Sequence, residues 1–198
     1  MTTPSPVTVA EWRTFLNGYN ARHITSDEVR KAIEEHRQVI SEERLEAGWA
    51  GAEPAGEEAI VAAEERLGVR LPPSYRNFLR VSDGWENIGS VDLLQVGDIG
   101  WFADLCADLI EAWSDVDHFV DHLAILKRCL LIGEDNGGSG CYWLLHADSV
   151  GGNGEWTAYE WWPGSGEDPE PCHDFAAMVR EAARPWPAGP RHGPVAGL

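Results

Sequence analysis

Two histidines, His118 and His122, stand four residues apart in Asp115-Val116-Asp117-His118-Phe119-Val120-Asp121-His122, and Asp117 and Asp121 repeat the spacing. On a helix that interval puts both imidazoles on one face, within reach of a shared zinc ion. A catalytic zinc site also needs a third ligand, and usually a glutamate base between the histidines. No H-E-x-x-H is present. The segment therefore reads as an exposed polar helix or loop leading into a strand. A metal-dependent hydrolase built on His118 and His122 stands as an alternative, and no metal or cofactor is expected.

The run Gly133-Glu134-Asp135-Asn136-Gly137-Gly138-Ser139-Gly140 invites comparison with a phosphate loop. Such a loop needs Lys and Ser or Thr after its last glycine, whereas Ser139-Gly140-Cys141 follows Gly138 here. Glu134 and Asp135 would repel a phosphate. A hairpin turn accounts for the run better, and its acidic pair is then open to a basic partner. Nucleophilic catalysis finds equally little support. No G-x-S-x-G surrounds Ser139 or Ser165, and only Cys129 has an adjacent Lys or Arg, Arg128. The four cysteines form no C-x-x-C, and Cys106, Cys129 and Cys141 lie in apolar stretches as small buried hydrophobes. The chain is not expected to be an enzyme.

These residues need elements to hold them. Thr8-Val9-Ala10-Glu11 has capping-box spacing, followed by Trp12, Phe15 and Leu16. Thr25-Ser26-Asp27-Glu28 repeats it and opens a longer helix with Val29, Ile33, His36 and Ile40 on one face. The Gly/Ala/Pro-rich stretch 47–56 then reads as a linker. A third helix starts near Glu57, presents Ile60, Ala63 and Leu67, and stops at Gly68. A short helix follows from Pro72 or Pro73, with Tyr75, Phe78 and Leu79 on one face, and ends at Asp83-Gly84. Strands are expected over 91–96, 129–132, 141–145 and 155–162, with a helix over 103–113. The apolar run 129–132 suits a strand covered on both faces. Asp174 caps a last helix bearing Phe175, Met178, Val179 and Ala182. Helices followed by an antiparallel sheet make an α+β fold.

Ten tryptophans add a second kind of candidate. In 155–162, Trp156 and Trp162 share one strand face while Tyr159 and Trp161 share the other. One face packs on the helices; the second either packs as well or offers aromatic anchors to a partner. Trp85, just past Asp83-Gly84, is a further surface candidate.

The series Glu57-Glu58-Ala59-Ile60, Ala63-Glu64, Leu67-Gly68, Leu71-Pro72, Tyr75, Phe78-Leu79 and Asp83-Gly84 describes two short helices meeting at a tight corner. In order and spacing it resembles the opening of the SUKH superfamily, which includes fungal cell-wall regulators and bacterial immunity proteins of polymorphic toxin systems. The apolar strand into an acidic glycine turn, Leu130 to Gly138, followed by Tyr142 and Leu144, is similar too, as is the closing helix around Phe175. The resemblance spans roughly residues 57–183. It departs at Asp83-Gly84, where the family often has Asn-Gly, although both pairs favour such a turn. It implies a SUKH-like α+β domain over 51–184, preceded by a helical extension, 1–50, and followed by a Pro/Gly-rich tail, 185–198. N-terminal helices would pack on a mostly antiparallel sheet. It also implies a binding module without chemistry.

Charge narrows the partner. The 198 residues hold 33 Asp and Glu against 15 Lys and Arg, a net charge of −18. Such a field opposes nucleic acid and anionic membranes and attracts basic proteins. No signal peptide or bilayer-length apolar run is legible, so a cytoplasmic protein is expected. Together these features point to an immunity protein that neutralises a basic, nuclease-type toxin, or alternatively to a regulatory or scaffold module of the same fold. The residues expected at the partner surface are Asp83, Trp85, Glu134, Asp135, Glu160 and Trp161.

Overall fold

Thr8 opens the first helix, α1 (Val9–His23), with a complete capping box. Its hydroxyl accepts the Glu11 N–H at 3.3 Å, and the Glu11 carboxylate accepts the Thr8 N–H at 2.8 Å. The computed structural model describes residues 5–35, 39–89, 91–116, 119–135 and 140–184.

The second helix differs from expectation. Its N-cap is Ser26, whose hydroxyl accepts the Val29 N–H, while the Thr25 hydroxyl turns back to Ala21 O in α1. This helix, α2 (Asp27–Glu34), is short, and Ser41 caps a separate α3 (Glu42–Ala47). Val29 and Ile40 are buried but Ile33 is 53% exposed, so no continuous apolar face exists; His36 lies outside the described residues.

The corner is as expected. Helix α4 (Glu57–Leu67) buries Ile60, Ala63 and Leu67 and ends at Gly68, whose φ of 69° is the left-handed conformation that glycine adopts most readily. Helix α5 (Pro73–Leu79) buries Tyr75, Phe78 and Leu79 and has Pro73 at its first position, where a missing N–H costs nothing.

The remaining elements are β1 (Trp85–Ile88), β2 (Val91–Leu93), β3 (Gly100–Trp101), α6 (Phe102–Leu105), α7 (Ala107–Ser114), α8 (Val120–Leu126), β4 (Cys129–Glu134), β5 (Tyr142–His146), β6 (Ala158–Trp161), β7 (Glu170–Cys172) and α9 (Phe175–Ala182). The sheet is antiparallel throughout, in the order β1-β2-β4-β5-β6-β7. Strand β3 pairs with β4 at Leu130 and Leu131, while β2 pairs with β4 farther along, at Gly133 and Glu134. The strand expected over 91–96 stops at Leu93, and the helix over 103–113 breaks at Cys106, whose ψ of 44° interrupts it. Gly133 and Glu134 belong to β4, so the turn starts later than their composition suggests.

Both sheet faces are covered. On one, Leu130, Ile132, Trp143, Leu145 and Ala158 meet α1, α2, α4, α5 and α9 in a single core. On the other, Cys129, Leu131, Leu144 and Trp161 meet α6, α7 and α8. Alternate residues of β4 thus enter two different cores, which is why the strand has no polar face before Glu134.

The stretch 47–56 is tied down by backbone bonds. Gly51 bridges to Trp85, the Glu86 N–H donates to Ala50 O, and the Ala55 N–H donates to Leu79 O. A Cβ on Gly51 would collide with the Ser82 hydroxyl and lie 2.7 Å from Trp49 Nε1 and 2.9 Å from the Trp85 ring. Gly51→Ala is therefore expected to cost about 1–3 kcal/mol, as overpacking does. Urea denaturation checks this, and an unchanged midpoint would mean that the contact yields.

Candidate functional site

The six expected surface residues part company in the structure. Trp85 is only 2% exposed and lies against Tyr19 and Trp49, with ring centroids 6.1 and 4.7 Å away. It is a core residue because the N-terminal extension folds over it. Trp161 is fully buried among Phe102, Trp113 and Phe119 beneath the second helical layer, and its indole N–H donates to Glu167 O. Neither tryptophan is a surface anchor. Both faces of β6 pack.

Glu160 is half-buried and accepts the indole N–H groups of Trp143 and Trp162, at 3.1 and 2.9 Å, so it binds two aromatic side chains to each other. Asp83 accepts the Val96 N–H at 2.7 Å, closing the segment after β2 onto the turn after α5. Its partial burial raises its pKa.

Glu134 and Asp135 remain near the surface. Glu134 is exposed at the end of β4, facing Asp92 on one side and Tyr142 on the other. Burial pushes the Cys106 thiol up to about 11, and the neighbouring Glu134 charge adds to the effect. The Glu134 charge is thus felt at Cys106, where α6 and α7 break. The Asp135 N–H donates to Cys141 O and anchors the base of the turn.

The metal reading concerns His118 and Asp117, which lie outside the described residues. His122 Nε2 is 3.2 Å from the Asp168 carboxylate and its ring packs on Phe119. Among the described residues, no group of three or more His, Cys, Asp or Glu could hold a metal ion.

Sequence reasoning passed over Cys172-His173-Asp174, three reactive types in a row. Cys172 and His173 border an open depression of about 460 Å³ that also touches Ser149 and Glu155. His173 Nδ1 is 2.9 Å from Asp174, yet the other Asp174 oxygen caps α9 by accepting the Ala177 N–H. Burial, reinforced by nearby carboxylates, pushes the Cys172 thiol up to about 11. A thiol nucleophile needs the opposite shift. Burial raises Cys129 and Cys141 as well.

The charge is unevenly distributed. Residues 81–179 hold 19 of the Asp and Glu and only two bases, Lys127 and Arg128, so nearly all of the net −18 arises there. Ten of the 15 bases precede residue 81. The half of the chain that forms the sheet and its second helical layer is thus the source of the field.

Helix, glycine stop, proline-started helix and antiparallel sheet now stand in one frame, and the profile of the SMI1 / KNR4 family (SUKH-1) matches residues 54–181. The chain belongs to that family. No curated protein matches it. SUKH domains are protein-interaction modules and are generally non-enzymatic. The match covers α4 through nearly all of α9 and leaves α1 to α3 outside, although those helices share the larger core with the matched part. No helix of the described residues is long and apolar enough to cross a membrane.

Proposed function

We propose that this SUKH domain is a cytoplasmic, non-enzymatic immunity protein that neutralises a cognate basic toxin of the nuclease type. The concentration of nearly all the net charge in residues 81–179 carries the reading. A nuclease holds phosphates with basic groups, so its groove is the protein surface that such a field favours. Complementary fields also accelerate encounter, by roughly 10- to 1,000-fold over a neutral pair. Rapid capture suits a protein that must reach a toxin before the toxin reaches nucleic acid.

Co-expression with the product of the adjacent gene tests the assignment. Rescue from that product's toxicity supports it; a harmless neighbour sinks it and leaves a regulatory or scaffold module of the same fold.

Glu134 and Asp135 are proposed as part of the contact. The double variant Glu134→Lys/Asp135→Lys is expected to weaken binding by tenfold or more and to flatten its dependence on salt, as loss of close charge pairs does. Titration calorimetry at two ionic strengths reads both quantities. An unchanged affinity would remove the turn from the interface.

A further inference from the structure

The second helical layer offers acid without Lys or Arg. Residues 102–126 hold Asp104, Asp108, Glu111, Asp115, Asp117 and Asp121 without a single Lys or Arg. Elsewhere bases stand among the carboxylates and some pair with them: Arg76 takes Glu57 and Glu64, Arg44 takes Glu86, and Arg128 takes Asp148. Among the described residues, the exposed carboxylates of α6, α7 and α8 have no ion-pair partner.

Fold stability accounts for only some of them. Asp104, Asp108 and Asp121 stand in the first turns of their helices, where the dipole favours a negative charge. Glu111 and Asp115 stand at the C-terminal end of α7, which has no base in its last turn. There the dipole opposes them.

The same layer exposes apolar surface. Leu105 is 52% and Val120 56% exposed, and Trp113 is half-buried against Phe119 and Trp161. Apolar and aromatic side chains on the same helices as exposed carboxylates have the composition of a contact surface, in which a dry centre meets a polar rim. The sign of the rim rejects nucleic acid and anionic lipid. A second copy meeting it face to face would set like charges against each other.

We infer that the α6–α8 face, extended by Glu134 at the end of β4, is the surface on which a basic protein domain docks. Leu105 and Trp113 enter the apolar centre, and the carboxylates meet Lys and Arg of the partner. This placement rests on the basic-partner reading above, which does not itself choose a face.

Two probes separate the placement from that reading. The first is cytochrome c, a small folded basic protein, titrated at low salt against the full chain. Neutralising the face (Asp104→Asn, Asp108→Asn, Glu111→Gln, Asp115→Asn) is expected to slow association about tenfold, the scale of electrostatic steering. Neutralising four carboxylates on the opposite side of the sheet (Glu42→Gln, Glu43→Gln, Glu46→Gln, Glu58→Gln) is expected to change it less than twofold. Equal losses in the two variants overturn the placement. In the face variant Asp104 and Asp108 give up a favourable helix-dipole contact while Glu111 and Asp115 give up an unfavourable one. It should therefore melt near the wild-type temperature, and a thermal melt separates lost binding from lost folding.

The second probe is the product of the adjacent gene, with hydrogen exchange as the readout. Protection over 102–126 supports the placement. Binding with protection confined elsewhere overturns it and leaves the basic-partner reading standing. A neighbour that neither binds nor harms the cell sinks that reading instead, and the cytochrome c result then decides the face alone.

Discussion

Replacing Trp12 by alanine is expected to lower the unfolding free energy by about 3–5 kcal/mol, the range for truncating a fully buried aromatic side chain. Trp12 has no exposed surface and packs on Phe78 and Phe175, with ring centroids 5.4 and 5.5 Å away. Its indole N–H donates to Ser74 O at 2.8 Å inside the core. Truncation therefore opens a cavity between α1, α5 and α9 and leaves a buried carbonyl without that donor. Domains of this size are stable by only about 5–15 kcal/mol, so the variant would lose a large fraction of its margin. Chemical denaturation checks the figure. Phe15→Ala, at a half-buried site on the same helix, should cost clearly less. A Trp12 variant within about 1 kcal/mol of wild type would mean that α1 is an appendage, because a true core position costs more.

The fate of Trp12 explains which parts of the molecule could be read from its sequence. Local signals were reliable: the Thr8 box, the Gly68 stop and the Asp174 cap each satisfy helix-end groups with residues close in sequence, and Pro73 starts α5 where a missing N–H costs nothing. Signals that depend on distant partners were not. Trp85 follows a turn and looks exposed until Tyr19 and Trp49 fold across it. Trp161 looks like one of two alternatives until α6, α7 and α8 cover that face of the sheet. Strand β3 (two residues) and strand β7 (three, one of them proline) are too short to show any alternation. The clustering of acid in residues 81–179 was legible from counting alone, but only the fold places part of it on one helical layer.

Glu155 joins the same junction from the other side, and its loss is the second large effect expected. Helix α5 has Pro72 at its N-cap, a residue with no side-chain acceptor. The Glu155 carboxylate, from the chain just before β6, supplies the missing cap. It accepts the Ser74 N–H at 2.8 Å and the Ser74 hydroxyl at 2.7 Å in a buried site. Glu155→Ala strands both donors, at about 1–3 kcal/mol for each buried group left unsatisfied, so a total loss of about 2–4 kcal/mol is expected where the hydroxyl can partly reorient. Glu155→Gln should lose far less, since its oxygen can keep the amide bond while its NH₂ donates to the hydroxyl oxygen.

The pair also predicts a pH dependence. Burial raises the Glu155 pKa, and its bonds from Ser74 lower it only in part. The native state then holds this proton more tightly than the unfolded chain does. Stability supplied by the group is present below the ordinary carboxylate range and is lost as pH rises through the raised value. The stability difference between wild type and Glu155→Gln should therefore move in favour of the glutamine variant between about pH 4 and pH 7, with other carboxylates cancelling in the comparison. Paired denaturation curves across that range measure it. A flat difference would mean that the carboxylate is as well solvated at α5 as in the unfolded chain. A movement towards wild type would mean that the helix terminus and Ser74 outweigh burial, making Glu155 a stabilising anion at the meeting point of the extension, the corner helices and the sheet.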